Sequence, residues 1–336
     1  MIQDMLRKIL SGGHLTESEA SELMDQIMDG VATPAQIGGL LVALKHKGEH
    51  VHEVAGFVRS MRNHSQIVTI ADPNAVDGCG TGGDGSHTFN ISTAAALVAS
   101  AAGATVAKHG NRSVSSKCGS ADLLEATGGT IDLTADKVAD CIDRVGFGFM
   151  FAPIFHPAMR HAAGPRKELG VRTVFNILGP MTNPAGVKRQ VIGVYDRSLM
   201  HLMAEVLGRT GSTHVIVAHS NDGMDEFSIS DSTEYVELHH GKVTTHELSP
   251  EQVGLKRMPY GAVAGGDASR NLQILREVLE GKRESYSGAV MMNAGALLYV
   301  ADKAESIKDG VDSARAAITD GRAKKKLEEW IAATQN

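Results

Sequence analysis

The sequence predicts an α/β protein led by a helical segment of about seventy residues, and three observations carry that expectation. Apolar residues at the amino-terminal end recur at helical spacing. From about Ala75 onward, short β-branched or aliphatic runs alternate with helical stretches across glycine-rich loops. Glycine numbers 37 while aromatic residues make up only 4% of the chain, so the interior is built from aliphatic and small side chains joined by tight turns.

The leading helices have readable starts and stops. Ile2, Met5, Leu6, Ile9 and Leu10 share one face before Gly12 and Gly13 interrupt it. Thr16 and Glu19 form a capping-box pattern ahead of Ala20, Leu23, Met24, Ile27 and Met28, and Gly30 closes that stripe. Thr33 and Pro34 open a third helix with Ile37, Leu40, Leu41 and Leu44 inward, up to Gly48. A fourth, over 51–64, carries Val54, Val58 and Met61. These stripes read as core. Beyond them, strands are expected over 75–77, 104–107, 191–195 and 214–218, and helices over 93–102, 121–127, 199–208, 289–300 and 313–333. The chain contains neither an internal repeat nor a low-complexity tract.

Composition excludes several classes of function. A formal net charge of −6 and the lack of a long basic run speak against tracking a nucleic-acid backbone. Cys79, Cys118 and Cys141 are far apart with no Cys-x-x-Cys pair, which argues against a disulfide framework and a structural zinc site and fits a reducing, cytoplasmic setting. Residues 1–10 do not read as a secretory signal, and the Ala-rich stretch 94–107 is too short to span a membrane.

The densest glycine cluster runs from Asp77 to Gly85 and includes Gly78, Gly80, Gly82 and Gly83. Glycine lets backbone N–H groups approach a phosphate closely. Gly78, Gly80 and Gly83 satisfy Gly-x-Gly-x-x-Gly, yet the next expected strand leads into Lys108, His109 and Arg112 where a dinucleotide site needs an acid. A P-loop fails too, because no Lys-Ser or Lys-Thr follows the last glycine. Downstream, Thr88, Asn90, Ser92 and Thr93 stand where a helix begins, with Ser92 a natural N-cap; such a helix end attracts anions. A second loop, expected over 108–116, offers two cations, an amide and three hydroxyls, with Ser120 opening the following helix. One ligand with a phosphate at each end accounts for both loops.

Gly80 to Asp84, Thr88 to Thr93, Lys108 to Ser116 and Gly119 to Asp122 resemble the phosphoribosyl pyrophosphate (PRPP) signatures of anthranilate phosphoribosyltransferases. Phe151 to Arg160, Val171 to Pro180, Asp225-Glu226 and the helical amino terminus resemble further segments of that family, so the match spans nearly the whole chain. The resemblance implies a small helical domain, residues 1–70 joined by helices from about 165–190, and a larger α/β domain, 71–336, with a mostly parallel sheet and the active site in the hinge cleft. It also implies a homodimer formed through the helical domain.

For the site, the resemblance implies PRPP contacts from Gly80, Gly83, Asp84, Thr88, Asn90, Ile91, Ser92, Thr93, Lys108, His109, Gly110, Asn111, Arg112, Ser113, Val114, Ser115, Ser116 and Ser120. It places Mg²⁺ ligands at Ser92, Asp225 and Glu226, and anthranilate contacts at Gly80, Asn111, His156 and Arg166, with Arg172 the structural arginine of that stretch. No side chain is assigned as a nucleophile; His109 is the candidate assisting group. Two alternatives stay open on the same fold: a pyrimidine nucleoside phosphorylase, and a non-catalytic relative that binds nucleic acid.

Overall fold

A computed structural model of the chain describes residues 2–113 and 117–335. Four helices come first: α1 (Ile2–Leu10), α2 (Glu17–Met28), α3 (Pro34–Lys47) and α4 (Val51–Asn63). Thr16 and Glu19 satisfy each other's backbone at the start of α2, and Thr33 with Gln36 does the same for α3, Pro34 standing in its first turn. The apolar stripes meet in one core that also takes in Ala162, Phe175 and Leu178 and continues onto Ile192 and Val215 of the sheet.

The rest of the chain alternates strand and helix: β1 (Val76–Gly80), α5 (Ile91–Ala101), β2 (Val106–Gly110), α6 (Ser120–Ala126), α7 (Ala135–Val145) and β3 (Phe147–Phe151). Then follow α8 (Ala152–Phe155), α9 (Arg160–Leu169), α10 (Phe175–Leu178), β4 (Arg189–Gly193), α11 (Leu199–Arg209), β5 (His214–Ser220), β6 (Thr233–His239) and β7 (Lys242–Leu248). Four helices end the chain: α12 (Ala268–Leu279), α13 (Glu284–Val300), α14 (Ile307–Thr319) and α15 (Arg322–Thr334). No helix among the described residues is long and apolar enough to cross a membrane.

One seven-stranded sheet runs in the order β3-β2-β1-β4-β5-β6-β7. The first five strands are parallel, and β6 and β7 add an antiparallel edge. Because the chain builds outward from β1 to one side through β2 and β3 and to the other through β4 and β5, the order reverses between β1 and β4. In open α/β sheets the crevice beyond the carboxyl ends of such a pair is where ligands sit. Behind it, α5 is buried along almost its whole length against α13 and α15, its alanines allowing close approach. Gly295 of α13 and Gly310 of α14 bring two helices nearer still: a Cβ on Gly310 would lie 2.4 Å from the Gly295 carbonyl oxygen.

Several expected elements need correction. The strands β3, β6 and β7 and the helices α7 and α12 were not anticipated, α9 begins at Arg160, ahead of the helices expected from about 165, and the helix expected over 313–333 is two, broken at Gly321 in the left-handed conformation. The glycine cluster does not follow its strand: Gly78 and Gly80 lie inside β1. Likewise Lys108, His109 and Gly110 belong to β2, so the second loop begins only at Asn111. The N-cap of α5 is Asn90, not Ser92.

Candidate active site

The crevice between β1 and β4 is closed by short backbone contacts. Thr81 N–H donates to the Gly193 carbonyl at 2.9 Å, and Tyr195 N–H donates to Thr81 Oγ1 at 3.0 Å. The loop after β5 is seated directly on these strand ends. A Cβ on Gly193 would fall 1.5 Å from the Asp225 carbonyl oxygen, and one on Gly80 would fall 2.8 Å from Asp225 Oδ2. Only glycine at both positions admits the acidic loop.

Three acids converge there. Asp225 Oδ2 accepts from Gly82 N–H at 2.7 Å, Asp84 Oδ2 accepts from Asp225 N–H at 3.2 Å, and Glu226 Oε1 accepts from Ser92 N–H at 3.1 Å. Burial, then the Asp84 charge, pushes the Asp225 carboxyl well above the usual range. Burial, then Asp225, pushes Glu226 up likewise. A cation is held deep beneath them: Lys108 is buried, and its Nζ donates to the Gly78 carbonyl oxygen under the floor of the crevice, where it also faces buried Asp77. A set of crowded carboxylates beside a serine, short of positive charge, is the donor chemistry a hard divalent cation such as Mg²⁺ takes. The residues present therefore fit such an ion.

The glycine loop is held from three sides. Gly82, Gly83 and Gly85 have positive φ, and Arg172 donates to the Gly83 carbonyl while stacking 3.8 Å over the Tyr195 ring. The segment from His87 to Phe89 pairs with Val263 to Gly265. Ile91, Ser92 and Thr93 form the first turn of α5, with the Thr93 hydroxyl buried and without a hydrogen-bond partner. Asn90 serves the scaffold, donating to the Cys118 carbonyl at 3.0 Å and accepting from Asn271 Nδ2 at 2.9 Å. Asn271 has no local motif to betray it; only the packing of α12 brings it to Asn90.

The second loop faces the first across β1 and β2. Asn111 Oδ1 accepts from Arg112 N–H at 2.7 Å, its carbonyl accepts from Ser120 Oγ at 3.2 Å, and Ser113 N–H donates to Asp122 at 3.2 Å. Arg112 is paired with Asp122 and Glu125 at 2.9 and 2.8 Å. Val114, Ser115 and Ser116 lie outside the described residues.

His109 and His156 are buried with ring centroids 5.1 Å apart. Burial holds both imidazoles far below the usual value, at about 3 and about 4. Each bonds a backbone group, at Gly179 and Thr182 respectively, in a way that favours its protonated form, and each Nε2 is buried without a partner. Nδ1–H is therefore the donor to the carbonyl in both rings, leaving Nε2 as an unused acceptor. Arg166, on α9, packs 5.1 Å over the Phe175 ring, and burial lowers its pKa. Among the described residues it makes no ion pair, an unusual state for a half-buried guanidinium.

A nested glycine loop, an anion-attracting helix end and an acid cluster at a strand-order reversal suit a transferase that acts on a phosphorylated ligand. Family models agree on that class: the glycosyl transferase family's helical bundle domain matches residues 3–65, and its a/b domain matches 72–324. The chain is 50% identical to the anthranilate phosphoribosyltransferase of Alkalilimnicola ehrlichii across 99% of both chains. It is likewise 50% identical to that of Moorella thermoacetica, across 99% of this chain and 98% of the other. Among solved structures it is similar to the Thermus thermophilus anthranilate phosphoribosyltransferase, with a TM-score of 0.94 and 44% identity over 99% and 100% of the two chains. The Saccharomyces cerevisiae enzyme in complex with PRPP and Mg aligns with a TM-score of 0.90 and 29% identity over 99% and 98%. This chain belongs to the anthranilate phosphoribosyltransferase family.

Proposed function

We propose that the chain transfers the phosphoribosyl group of PRPP to the amine of anthranilate, giving N-(5-phosphoribosyl)anthranilate and pyrophosphate, a step of tryptophan biosynthesis. The observation that carries this reading is the meeting of the Gly82 loop, the α5 amino terminus and the Asp225-Glu226 pair at the β1–β4 crevice. Backbone N–H groups of the Gly80–Gly83 loop and the first turn of α5 receive phosphate oxygens, with Thr88 and Thr93 beside them. Gly110, Asn111, Arg112, Ser113 and Ser120 line the facing loop; for Arg112 to bind phosphate it exchanges its pairing with Asp122 and Glu125. Lys108 contributes charge from beneath the floor.

Asp84, Asp225, Glu226 and the Ser92 hydroxyl would hold Mg²⁺. When bound, the ion neutralises the charge that develops on the departing pyrophosphate. The aniline-type nitrogen carries its lone pair at neutral pH, so no nucleophilic side chain is needed. Arg166 receives the anthranilate carboxylate, supported by its half-buried, unpaired state. Asn111, Gly80 and His156 complete that pocket, and the neutral His109 accepts a hydrogen bond from the attacking amine through Nε2. Orientation of the two substrates in the cleft and fixed dipoles around the leaving group supply the acceleration.

Residues 1–70 with α9 and α10 make up one unit of this reading, and the remainder makes up the other. A homodimer through the helical unit is supported by Leu10, Val31 and Val42, large apolar residues exposed on it. Cys79, Cys118 and Cys141 form no disulfide with one another, which fits a cytoplasmic setting. The test is the loss of anthranilate fluorescence on mixing protein, PRPP and Mg²⁺. A parallel reaction with a pyrimidine nucleoside and phosphate must stay silent; turnover there, with none of anthranilate, would make the chain a phosphorylase.

A further inference from the structure

At the far end of β5 from the crevice, a second group of ligating side chains gathers on one face of the sheet. Strand register puts His214 directly opposite His239, and Glu237 lies two residues before His239, on the same face. One ligand atom from each of His214, Glu237 and His239 lies within 4.8 Å of the others. Glu237 Oε1 is the hub: His214 Nε2 is 2.8 Å from it and His239 Nδ1 is 3.9 Å away.

We propose that His214, Glu237 and His239 form a binding site for a transition-metal cation of the zinc class, separate from the magnesium chemistry of the crevice. A tetrahedral ion bonded at about 2.0–2.2 Å sets neighbouring ligand atoms roughly 3.3 Å apart. The separations of 2.8 and 3.9 Å to Glu237 bracket that spacing and all three ligand atoms lie within 4.8 Å, while the two imidazoles, parallel to within 5° with centroids 3.9 Å apart, must tilt toward each other for their in-plane lone pairs to converge on the ion. Two imidazoles and one carboxylate select Zn²⁺, Ni²⁺, Co²⁺ or Cu²⁺ over Mg²⁺, which prefers six oxygens.

The surroundings suit this role. His214 Nδ1 is buried without a hydrogen-bond partner, and Asp302 Oδ1 stands 3.9 Å from it. With Nε2 on a metal, Nδ1 must carry the proton, and the Asp302 carboxylate, at 3.9 Å still beyond hydrogen-bond distance, accepts from it once the two close by about an ångström. Glu237 is steadied on its other oxygen, Oε2, by His246 at 3.5 Å. Against the penalty of burial, the bond from His214 and then that from Tyr299 hold its carboxyl below the usual range; on binding, the His214 bond gives way to the charge of the ion and the Tyr299 bond remains. Entry is available through a depression of about 540 Å³ bordered by His214, His239, Tyr299 and Asp302. The fourth position is left to water or an incoming ligand.

The experiment titrates Zn²⁺ into metal-free full-length protein in excess Mg²⁺, by calorimetry, with Co²⁺ as a visible-absorption probe of tetrahedral geometry. Wild type is expected to bind one equivalent and to give the intense tetrahedral cobalt bands. His239→Ala and Glu237→Gln should each weaken Zn²⁺ binding by about tenfold or more and lose those bands. His50→Ala, in the His14–His50–His52 stack of the helical bundle, should change neither. Identical binding by wild type and His239→Ala, or loss of the bands in His50→Ala, overturns the site. Should either sheet variant fold poorly, anomalous scattering at the zinc edge from wild-type crystals decides it: a peak within bonding distance of Glu237 supports the site, and its absence refutes it.

Discussion

Asp225 Oδ2 accepts a hydrogen bond from the backbone N–H of Gly82 at 2.7 Å, tying together two loops 143 residues apart in the chain. One acid thus both shapes the glycine loop and offers charge to the site. Removing charge while keeping that acceptor separates the roles. Asp225→Asn with Glu226→Gln should keep the fold and nearly abolish turnover at limiting Mg²⁺, read by anthranilate fluorescence. Wild-type rates in the double variant would remove these acids from the metal site.

The same acids predict a pH dependence of stability. Burial and mutual repulsion raise both folded values above the ordinary 3.8 and 4.5, so the native state without metal binds more protons than the unfolded chain above those ordinary values. The stability these two groups contribute is fully present below the ordinary values and is lost as pH rises through the folded ones. Mg²⁺ opposes that loss. Its addition should raise the thermal midpoint more at pH about 8.5 than at about 6, and the Asn/Gln variant should show no such difference.

Gly82 has φ of +67° and open space where a Cβ would stand. Gly82→Val therefore meets backbone strain of about 1–3 kcal/mol and sets a branched side chain on the phosphate face. Calorimetry should find PRPP binding abolished while anthranilate binding persists. Unchanged PRPP affinity in the folded variant would take this loop out of the site.

Arg166 tests acceptor choice. A charge-assisted hydrogen bond to a carboxylate contributes about 1.5–3 kcal/mol, so Arg166→Ala should raise the anthranilate KM roughly ten- to a hundred-fold with little change for PRPP. Lysine should restore part of the loss, lacking the planar fork. Aniline, which has no carboxylate, should be a poor substrate for wild type and less disfavoured by the alanine variant. A weakened PRPP affinity with the anthranilate preference intact would move Arg166 to the phosphate site.

With His109 and His156 held neutral down to about 3 and 4, neither ionises near neutrality. His109→Gln should lower kcat while leaving the shape of the kcat profile between about pH 5.5 and 7.5 unaltered. A limb near 6.5 that vanishes in the variant would make His109 a proton-transfer group.

The helical start and the glycine loop were legible because local chemistry announces them: Thr16 with Glu19, Thr33 with Pro34, and glycines clustered as no ordinary turn requires. The antiparallel edge was not. β7 alternates weakly and is largely exposed, so it lacks the apolar run that marks a buried strand, although the two-residue turn at His240 and Gly241 was a usable hairpin signal. β3 hid in Phe147 to Phe151, a short apolar run equally compatible with a helix. Lys108 misled for another reason: basic residues in sequence read as one loop, while strand alternation and burial turned its amine under the sheet toward Gly78. Asn271 and the half-buried, unpaired condition of Arg166 exist only in three dimensions.

The exposed β7 also bears on how the molecule behaves among its own copies. As the outermost strand it leaves one row of backbone donors and acceptors unpaired, a template for another chain's strand. Lys242, Thr244, Thr245, His246 and Glu247 all reach solvent along it. Joining a second copy of this edge would strip water from those charges and hydroxyls, a cost no apolar contact there offsets. The strand hardest to see in the sequence thus bears on colloidal behaviour rather than catalysis: a polar edge of this kind opposes the pairing that would knit a crowded solution into sheets.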